Sequence, residues 1–508
     1  MDMKVKQKKL NKKEKYTVQT RDLGWEPTYQ SKDKIFPYVE YEGIKIHDWD
    51  KWEDPFRLSM DSYWKYQAEK ERKYYAILDS FAQTNGHLNL TSARYLSAIK
   101  IFQQAITPGE YAAHKGFARA GREFPGAGTQ VACQMQSIDE IRHAQTQVHG
   151  VSNYNKYYNG FHDFTQQRDR IWYTSLARSF FDDATSAGPF EFMIAIGFSF
   201  EYVLTNLLFV PFMSGAAYNG DIASVTFGFS AQSDEARHMT LGLECIKFML
   251  EQDPDNLPIV QGWIDKWFWR GIRLLSLVGS MMDYMLPKKV MSWKEAWQIY
   301  GVENGGALFN DLARYGIRPP KGWEDADKAM DHVSHQLMLG LHQWNFGTSF
   351  HTDVPTEEEM DWLSAKYPDT FDKYYRPRWN FMKEQAEKGK PFKNMGLPKL
   401  CQVCQSPGLY TEPDDPTMLC HRETVFENEK YQFCSDHCMD IFNNEPEKYV
   451  QAYLPMNQLF QAPLYGDLNA WMDWVSLRDG VDNGDYELSE DKKNFDKWRN
   501  DVKSNSVD

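Results

Sequence analysis

Asp234-Glu235-Ala236-Arg237-His238 is the stretch whose reading decides the fold, and Asp139-Glu140-Ile141-Arg142-His143 repeats its frame upstream. On an α-helix, a Glu and the His three residues later lie about 60° apart around the axis and ~4.5 Å apart along it, so both side chains reach one ion. A carboxylate and an imidazole together suit iron, manganese or zinc better than magnesium or calcium. A single Glu-x-x-His carries little weight, because a chain with 13 histidines produces about one such match by chance at ordinary glutamate frequency. Two matches that share the preceding Asp and the intervening Arg read as one half-site used twice, rather than as two charged surface helices. Metal-bound histidines commonly give their second ring proton to a carboxylate, which fixes the tautomer. Asp139 and Asp234 stand one residue out of phase with the ligand Glu, so each is placed to orient the histidine of the facing helix, with Arg142 and Arg237 alongside.

Outward from the two motifs, helical periodicity runs from near Tyr63 to about residue 390. Breaks fall at Asn85-Gly86, Pro125-Gly126, Gly188-Pro189, Asn219-Gly220, Pro254, Pro287, Pro319-Pro320 and Pro355. No alternating run in this region is long enough to build a sheet. The breaks isolate four helices, roughly 91–118, 128–153, 189–213 and 222–250, with Thr91-Ser92 as N-cap of the first. The pattern predicts a mainly α fold, a ferritin-like bundle holding two metals. Such a bundle needs one more carboxylate from each helix that lacks the motif, and spacing nominates Glu110 and Glu201. Glu201 sits in an apolar helix with no cation within a turn, and a buried unpaired carboxylate neutralises unless a metal takes its charge. Glu123 competes with Glu110, Pro108-Gly109 interrupts helical regularity just before it, and His114 reads as a packed or surface histidine.

The set Glu110, Glu140, His143, Glu201, Glu235 and His238 balances two divalent cations and suits dioxygen activation by two irons. Its surroundings are expected to be apolar. Ile106 and Ala113 share a face with Glu110, Ile196, Phe200 and Phe209 lie on the Glu201 helix, and Phe180 closes the side. Thr205, one turn after Glu201, either places a hydroxyl beside the metals or bonds its own helix carbonyl.

A net charge of −14 over 508 residues argues against a nucleic-acid partner. Aromatic residues make up 15% of the chain, 17 of them Trp, enough to cover a core or to meet partner subunits. Seven cysteines, four in metal-like spacings, favour a reducing cytoplasm. The start is charged without an apolar run, so no secretory signal is expected. Residues 192–213 have the length of a membrane span, but Glu201, Thr205 and Asn206 at its centre make it a buried helix, with no membrane involved.

The domain reading begins with a flexible basic arm over 1–16, rich in lysine. An N-terminal extension follows over 17–90, its first part draped as an extended arm, and the helical two-iron domain spans 91–394. Over 395–465, Cys401-x-x-Cys404 and Cys434-x-x-x-Cys438 predict a closed structural zinc site of four thiolates. The second pair lies in YQFCSDHCMDIFNNEPEKY, which resembles the YHS motif of small metal-binding modules. Tyr431, Phe433, Phe442 and Tyr449 would form a mini-core that metal binding supports. Cys420-His421 and His437 are competing ligands. His332-x-x-His335 lacks the Glu of a hydrolytic zinc motif and reads as packing or surface, and 466–508 is an acidic tail.

The segments GFSFEYVLTNLLFVPFMSGAAYNGD, FGFSAQSDEARHMTLGLE and VACQMQSIDEIRHAQTQVHG resemble the large subunit of bacterial multicomponent phenol hydroxylases, in the diiron family of toluene and soluble methane monooxygenases. The similarity runs from WEPTYQ near residue 25 through the cysteine region. It implies the six ligands above, Thr205 as the active-site threonine, and Asp139 and Asp234 as cross-paired supports. It also implies Asn206 and Gln232 as residues that respond to a small regulatory protein. Ile106, at the mouth, with Gly109, Ala113, Phe180, Ile196, Phe200 and Phe209 would line the pocket. The implied reaction is ortho-hydroxylation of phenol and methylphenols to catechols with O2, with toluene, arene or alkene hydroxylation as the alternative. The chain carries no nicotinamide or flavin fingerprint, since Gly126-Ala127-Gly128 lacks a third Gly and a preceding strand. Electrons would come from an NAD(P)H reductase bearing FAD and an iron–sulfur cluster. Two smaller hydroxylase subunits, in a dimer of heterotrimers, complete the implied system. A ribonucleotide reductase small subunit would carry its radical tyrosine where this chain has Gln147. A ferritin-like store would be far shorter, and a purely structural hydroxylase subunit would lack the ligands.

Overall fold

The computed structural model describes residues 9–37, 42–158, 161, 174–343, 353–388, 400–406 and 422–452. Helix α1 (Lys12–Thr17) opens on a capping box between Asn11 and Glu14 and buries Tyr16, whose hydroxyl accepts the Asp54 backbone N–H. The arm expected to be flexible over 1–16 is helical from Lys12 onward, because the capping box satisfies the first turn and Tyr16 anchors it. Residues 1–8 lie outside the described residues. Helix α2 (Met60–Gln83) packs across the two motif helices and buries Tyr63, Gln67, Lys70 and Leu78.

Helix α3 (Ala93–Glu123) starts at Ser92, whose side chain accepts from the Tyr95 N–H, and runs unbroken through Pro108. Packing against α4 (Ala127–Asn155) and α5 (Thr174–Ser186) holds it where a proline interrupts the ladder. Helix α6 (Pro189–Tyr218) has Pro in its first turn, and its middle, Met193–Leu204, is wound as a π-helix. This element has the length and apolarity of a membrane span but is mostly buried among its neighbours. Helix α7 (Ile222–Gln252) is capped by Asp221, which also accepts the buried hydroxyls of Tyr95 and Tyr154. The backbones of α6 and α7 meet at Gly197 and Gly242, where a Cβ on Gly242 would fall 2.2 Å from the Gly197 carbonyl oxygen.

Helix α8 (Leu257–Ser280) covers the π-helical segment and buries Trp267 and Trp269 completely. Helix α9 (Val333–Gln343) packs on α8. His332 and His335 are buried at its start, 2.5 Å from the Tyr375 hydroxyl and 2.6 Å from the Tyr284 hydroxyl, which is packing. Among the described residues the strands are β1 (Arg422–Phe426) and β2 (Glu429–Phe433), an antiparallel hairpin with Arg422 opposite Phe433. Helix α10 (Asp436–Asn444) follows. Tyr431 and Phe433 pack their rings 5.1 Å and 5.0 Å from Phe442. Tyr449 turns instead to the bundle and donates to Asp183 at 2.8 Å. Cys420, His421 and the 466–508 tail lie outside the described residues.

Candidate metal centre

Four helices bring six ligand-type side chains to one place. Helix α3 carries Glu110, α4 carries Glu140 and His143, the π-helical part of α6 carries Glu201, and α7 carries Glu235 and His238, all buried. π-Helical turns recur at functional sites because they displace one residue from regular helical phase. Glu110, Glu140 and His143 offer atoms within 4.8 Å of one another, and so do Glu140, Glu201 and His238. Glu140 belongs to both triads, so the two positions are adjacent and share a carboxylate. Glu235 Oε2 completes the second, 3.6 Å from His238 Nδ1.

The donor set fits a pair of cations. Glu140 Oε1, His143 Nδ1, Glu235 Oε2 and His238 Nδ1 are buried without hydrogen-bond partners among the described residues. Glu140 Oε1 and His238 Nδ1 approach to 3.0 Å without the alignment of a hydrogen bond. Orphaned polar atoms are costly in a core, and here they converge where a metal would satisfy them. Four carboxylates and two imidazoles match two divalent first-row ions in charge and softness.

Each imidazole turns Nδ1 inward and Nε2 outward. His143 Nε2 meets Asp234 Oδ2 at 3.1 Å, and His238 Nε2 meets Asp139 Oδ2 at 3.1 Å, so the aspartate of each motif serves the histidine of the other. Burial pushes Glu201 well above the usual carboxylate range and Glu110 up to about 8. Burial acts on Glu140 as well, but His238 and His143 outweigh it and hold that carboxyl low. Burial depresses both imidazoles, yet the bond to Asp234 and the nearby carboxylate charges raise His143 well above its ordinary value, and the charge of Glu140 and Glu201 raises His238 to about 10. Dications bound here would displace any proton carried on the inward-facing ligand atoms.

Helix α2 supplies supports that the sequence reading missed. Tyr63 donates to Asp139 Oδ1 at 2.6 Å, Gln67 Nε2 spans Asp139 Oδ1 at 2.8 Å and Asp234 Oδ1 at 2.7 Å, and Lys70 Nζ meets Asp234 Oδ2 at 2.5 Å. Arg142 Nη1 reaches both aspartates, at 3.0 Å and 3.4 Å, and Arg237 pairs with Asp139. Gln136 Nε2 donates to Glu201 Oε2 at 2.7 Å. The available signal was the spacing of Tyr63, Gln67 and Lys70, which marks one helical face without saying what that face meets. Glu123 pairs with Arg119 at 2.8 Å and His114 Nδ1 sits 2.9 Å from the Ser137 carbonyl, so neither joins the cluster. Gln147 accepts the Thr107 hydroxyl.

Beside the six residues lies a cavity of about 20 Å³, lined by Ile106, Ala113, Ile196, Phe200, Thr205 and Phe209 and also by Phe181 and Leu208. Phe180 stands one layer back, its ring 5.2 Å from Phe200 and 5.7 Å from Trp267, so Phe181 takes the wall position expected of it. Neighbouring residues on a helix point about 100° apart, and sequence alone does not give the helix's rotation. Gly109 is not in the lining either; a Cβ there would fall 2.5 Å from the Phe181 ring, so its part is to let that ring approach. The cavity holds about one water, whereas small-molecule pockets span about 300 Å³ or more. An aromatic guest therefore requires these side chains to move. Gln232 Nε2 donates to Asn206 Oδ1 at 3.1 Å, a partly buried link between α7 and α6.

The four cysteines meet as well. Cys401, Cys404, Cys434 and Cys438 are buried with their Sγ atoms within 4.8 Å of one another, the arrangement of a closed tetrathiolate site. The Gln402 N–H donates to the Gln432 carbonyl at 2.9 Å and ties the first pair to β2. His437 stands aside, 2.8 Å from Asp325 and with its ring 4.4 Å from Trp269.

Comparison with known proteins places these features in context. A profile of the Methane/Phenol/Alkene Hydroxylase family matches residues 25–253, and a YHS domain profile matches 410–453. The chain is 63% identical over 481 residues to the oxygenase component of phenol 2-monooxygenase from Pseudomonas sp. (strain CF600), covering 94% of this chain and 93% of that protein. It is 29% identical to the oxygenase component alpha subunit of the alkene monooxygenase system of Xanthobacter autotrophicus, over 87% of this chain and 88% of that one. The crystal structure of xenon-pressurized phenol hydroxylase from Pseudomonas sp. OX1 matches with a TM-score of 0.89 at 62% identity, covering 96% of this chain and 99% of that chain.

Proposed function

The chain belongs to the methane/phenol/alkene hydroxylase family and is a monooxygenase, and from that premise we propose that it is the oxygenase component of a phenol 2-monooxygenase. It uses O2 and electrons from an NAD(P)H reductase to hydroxylate phenol and methylphenols at the ortho position, giving catechols. The observation that carries this reading is the pair of triads sharing Glu140 beside an apolar cavity. Two irons held by Glu110, Glu140, His143, Glu201, Glu235 and His238 supply the activation of O2 when bound. Asp234 and Asp139 keep the Nε2 protons of His143 and His238, so both Nδ1 lone pairs face inward. Tyr63, Gln67, Lys70, Arg142 and Arg237 hold those aspartates in place. Ile106, Ala113, Phe181, Ile196, Phe200 and Phe209 exclude water and offer the aromatic ring apolar contact only. Thr205 carries the hydroxyl among the lining residues and holds a proton at the cavity's edge.

In this reading one zinc is held structurally by Cys401, Cys404, Cys434 and Cys438, in a module over 395–465 distinct from the 91–394 bundle and the 17–90 extension. FAD and an iron–sulfur cluster sit on the separate reductase. Two smaller subunits assemble with this chain as a dimer of heterotrimers in the cytoplasm, and a small regulatory protein acts through the Asn206–Gln232 link. Product analysis of the reconstituted system with phenol, methylphenols and toluene tests the proposal. Catechols are expected; preferential turnover of toluene or alkenes would move the assignment within the family, and no product from a fully iron-loaded complex would overturn it.

A further inference from the structure

Two arginines of α8 are buried where that helix meets the cysteine module, Arg270 at 2% and Arg273 at 3% exposure. Arg273 Nη2 donates to Ser406 Oγ at 2.7 Å. Arg270 Nη1 donates to the Val403 carbonyl at 2.5 Å, and its Nη2 donates to the Ser179 carbonyl at 2.7 Å and to Ser179 Oγ at 3.0 Å. Ser179 Oγ donates in turn to the same Val403 carbonyl at 2.7 Å. Val403 lies inside the Cys401-x-x-Cys404 turn, and Ser179 directly precedes Phe180 and Phe181 on α5. One carbonyl of the thiolate turn is thus clamped by a hydroxyl from the helix that carries Phe181, which lines the cavity, and by a guanidinium from α8, which packs behind Phe200.

The next residue on each helix packs behind that wall, against Phe200. A Cβ on Gly271 would fall 2.5 Å from Leu204 and 3.9 Å from the Phe180 and Phe200 rings. Phe180 packs 5.2 Å and Phe181 5.4 Å from Phe200, and Phe181 and Phe200 both line the cavity. Buried guanidinium groups are costly unless charge and hydrogen bonds compensate them. Four thiolates around one dication leave a net charge of about −2; Arg273 faces that charge, while Arg270 is shared between the cysteine turn and Asp183, 3.4 Å from its Nη2.

We propose that Arg270 and Ser179 are positioning residues for substrate selection. Through the Val403 carbonyl they make the position of Phe181, and so the shape of the pocket, depend on an ordered tetrathiolate turn. The inference rests on reading the cysteines as a zinc site and the buried cluster as the iron site.

The test uses the assembled hydroxylase with Ser179→Ala and, separately, Arg270→Lys, which keeps the charge but loses the fork. Iron and zinc content, deuterium uptake in Thr174–Ser186, KM and kcat for phenol, and the ratio of methylcatechols formed from meta-methylphenol are measured. Iron should stay at the parent level, uptake in Thr174–Ser186 should rise, and KM should increase on the order of tenfold with kcat little changed. The methylcatechol ratio should shift, and zinc removal from the parent should reproduce the change in uptake. Combining Ser179→Ala with Phe181→Leu should give a non-additive change in that ratio. Parent-like uptake and product ratio in both variants, strict additivity, or iron loss from Ser179→Ala would each overturn the proposal. A parent complex that forms no catechol would instead defeat the functional reading, while deuterium uptake would still decide whether the clamp operates.

Discussion

At the residue scale, Glu140 stands in both metal triads, whereas Glu110, His143, Glu201 and His238 each stand in one. Glu140→Ala and His238→Ala should abolish iron loading while helical circular dichroism is retained; iron at the parent level in either variant would refute the ligand assignment. Asp139→Asn leaves every ligand in place but removes the acceptor charge behind His238, and metal affinity should fall about 10–100-fold. Protonation supplies a further check. His238 is raised to about 10 and Glu110 to about 8, above unfolded values of about 6.5 and 4.3. Each group's stabilisation of the metal-free fold is therefore complete below its unfolded value and lost as pH climbs through its folded value. Metal binding runs the other way, because ligands must shed protons. The metal-free protein should melt at lower temperature as pH rises from about 5 to 10, while metal affinity climbs. Calorimetry in buffers of different ionisation enthalpy should detect proton release on iron loading.

At the element scale, the contact of α6 with α7 is set by two glycines and by a π-helical stretch that carries Glu201. Gly242→Ala would push a Cβ against the Gly197 carbonyl oxygen. Overpacking of this kind costs about 1–3 kcal/mol, read as a lower Tm, and iron content should fall with it because the Glu201 segment must shift. The cysteine module carries its own metal position, apart from the buried carboxylate cluster. Zinc chelation should raise hydrogen exchange across Arg422–Asn444 without changing iron content; loss of iron on chelation would mean that the two metal sites are not independent in loading. The helix pattern was legible because Pro and Gly breaks bracket the long helices. The N-terminal arm was misread because its lysines outweighed a capping box and one buried tyrosine.

At the scale of the whole molecule, large apolar side chains remain exposed on the helices that support the cluster: Trp64 and Tyr66 on α2, Ile141 and Val148 on α4, and Phe229 on α7. Where such residues adjoin one another they offer a partner apolar area. On assembly with the smaller subunits proposed above, at least part of this set should become protected from hydroxyl-radical footprinting; unchanged reactivity at all of them would place the subunit contacts elsewhere. The small cavity beside the cluster is also a property of the whole packing, since α3, α5 and α6 all contribute walls to it. Substitution of Phe181 by Leu should widen it and change the ratio of methylcatechols more than substitution of Phe180.

What local spacing controls was determined by the sequence alone: Glu and His one turn apart on one helical face, cysteines in paired spacings, and an acid in an apolar helix that needs a cation. Those relations hold within single elements, where the helical repeat fixes direction. The tertiary structure alone decided that α2 supplies Tyr63, Gln67 and Lys70, that Phe181 and not Phe180 faces the cavity, and that Ser179 and Arg270 grip the Val403 carbonyl. Each of these depends on the rotation and offset of one helix against another. Ridge packing and a π-helical stretch set those quantities, and no periodicity within either segment records them.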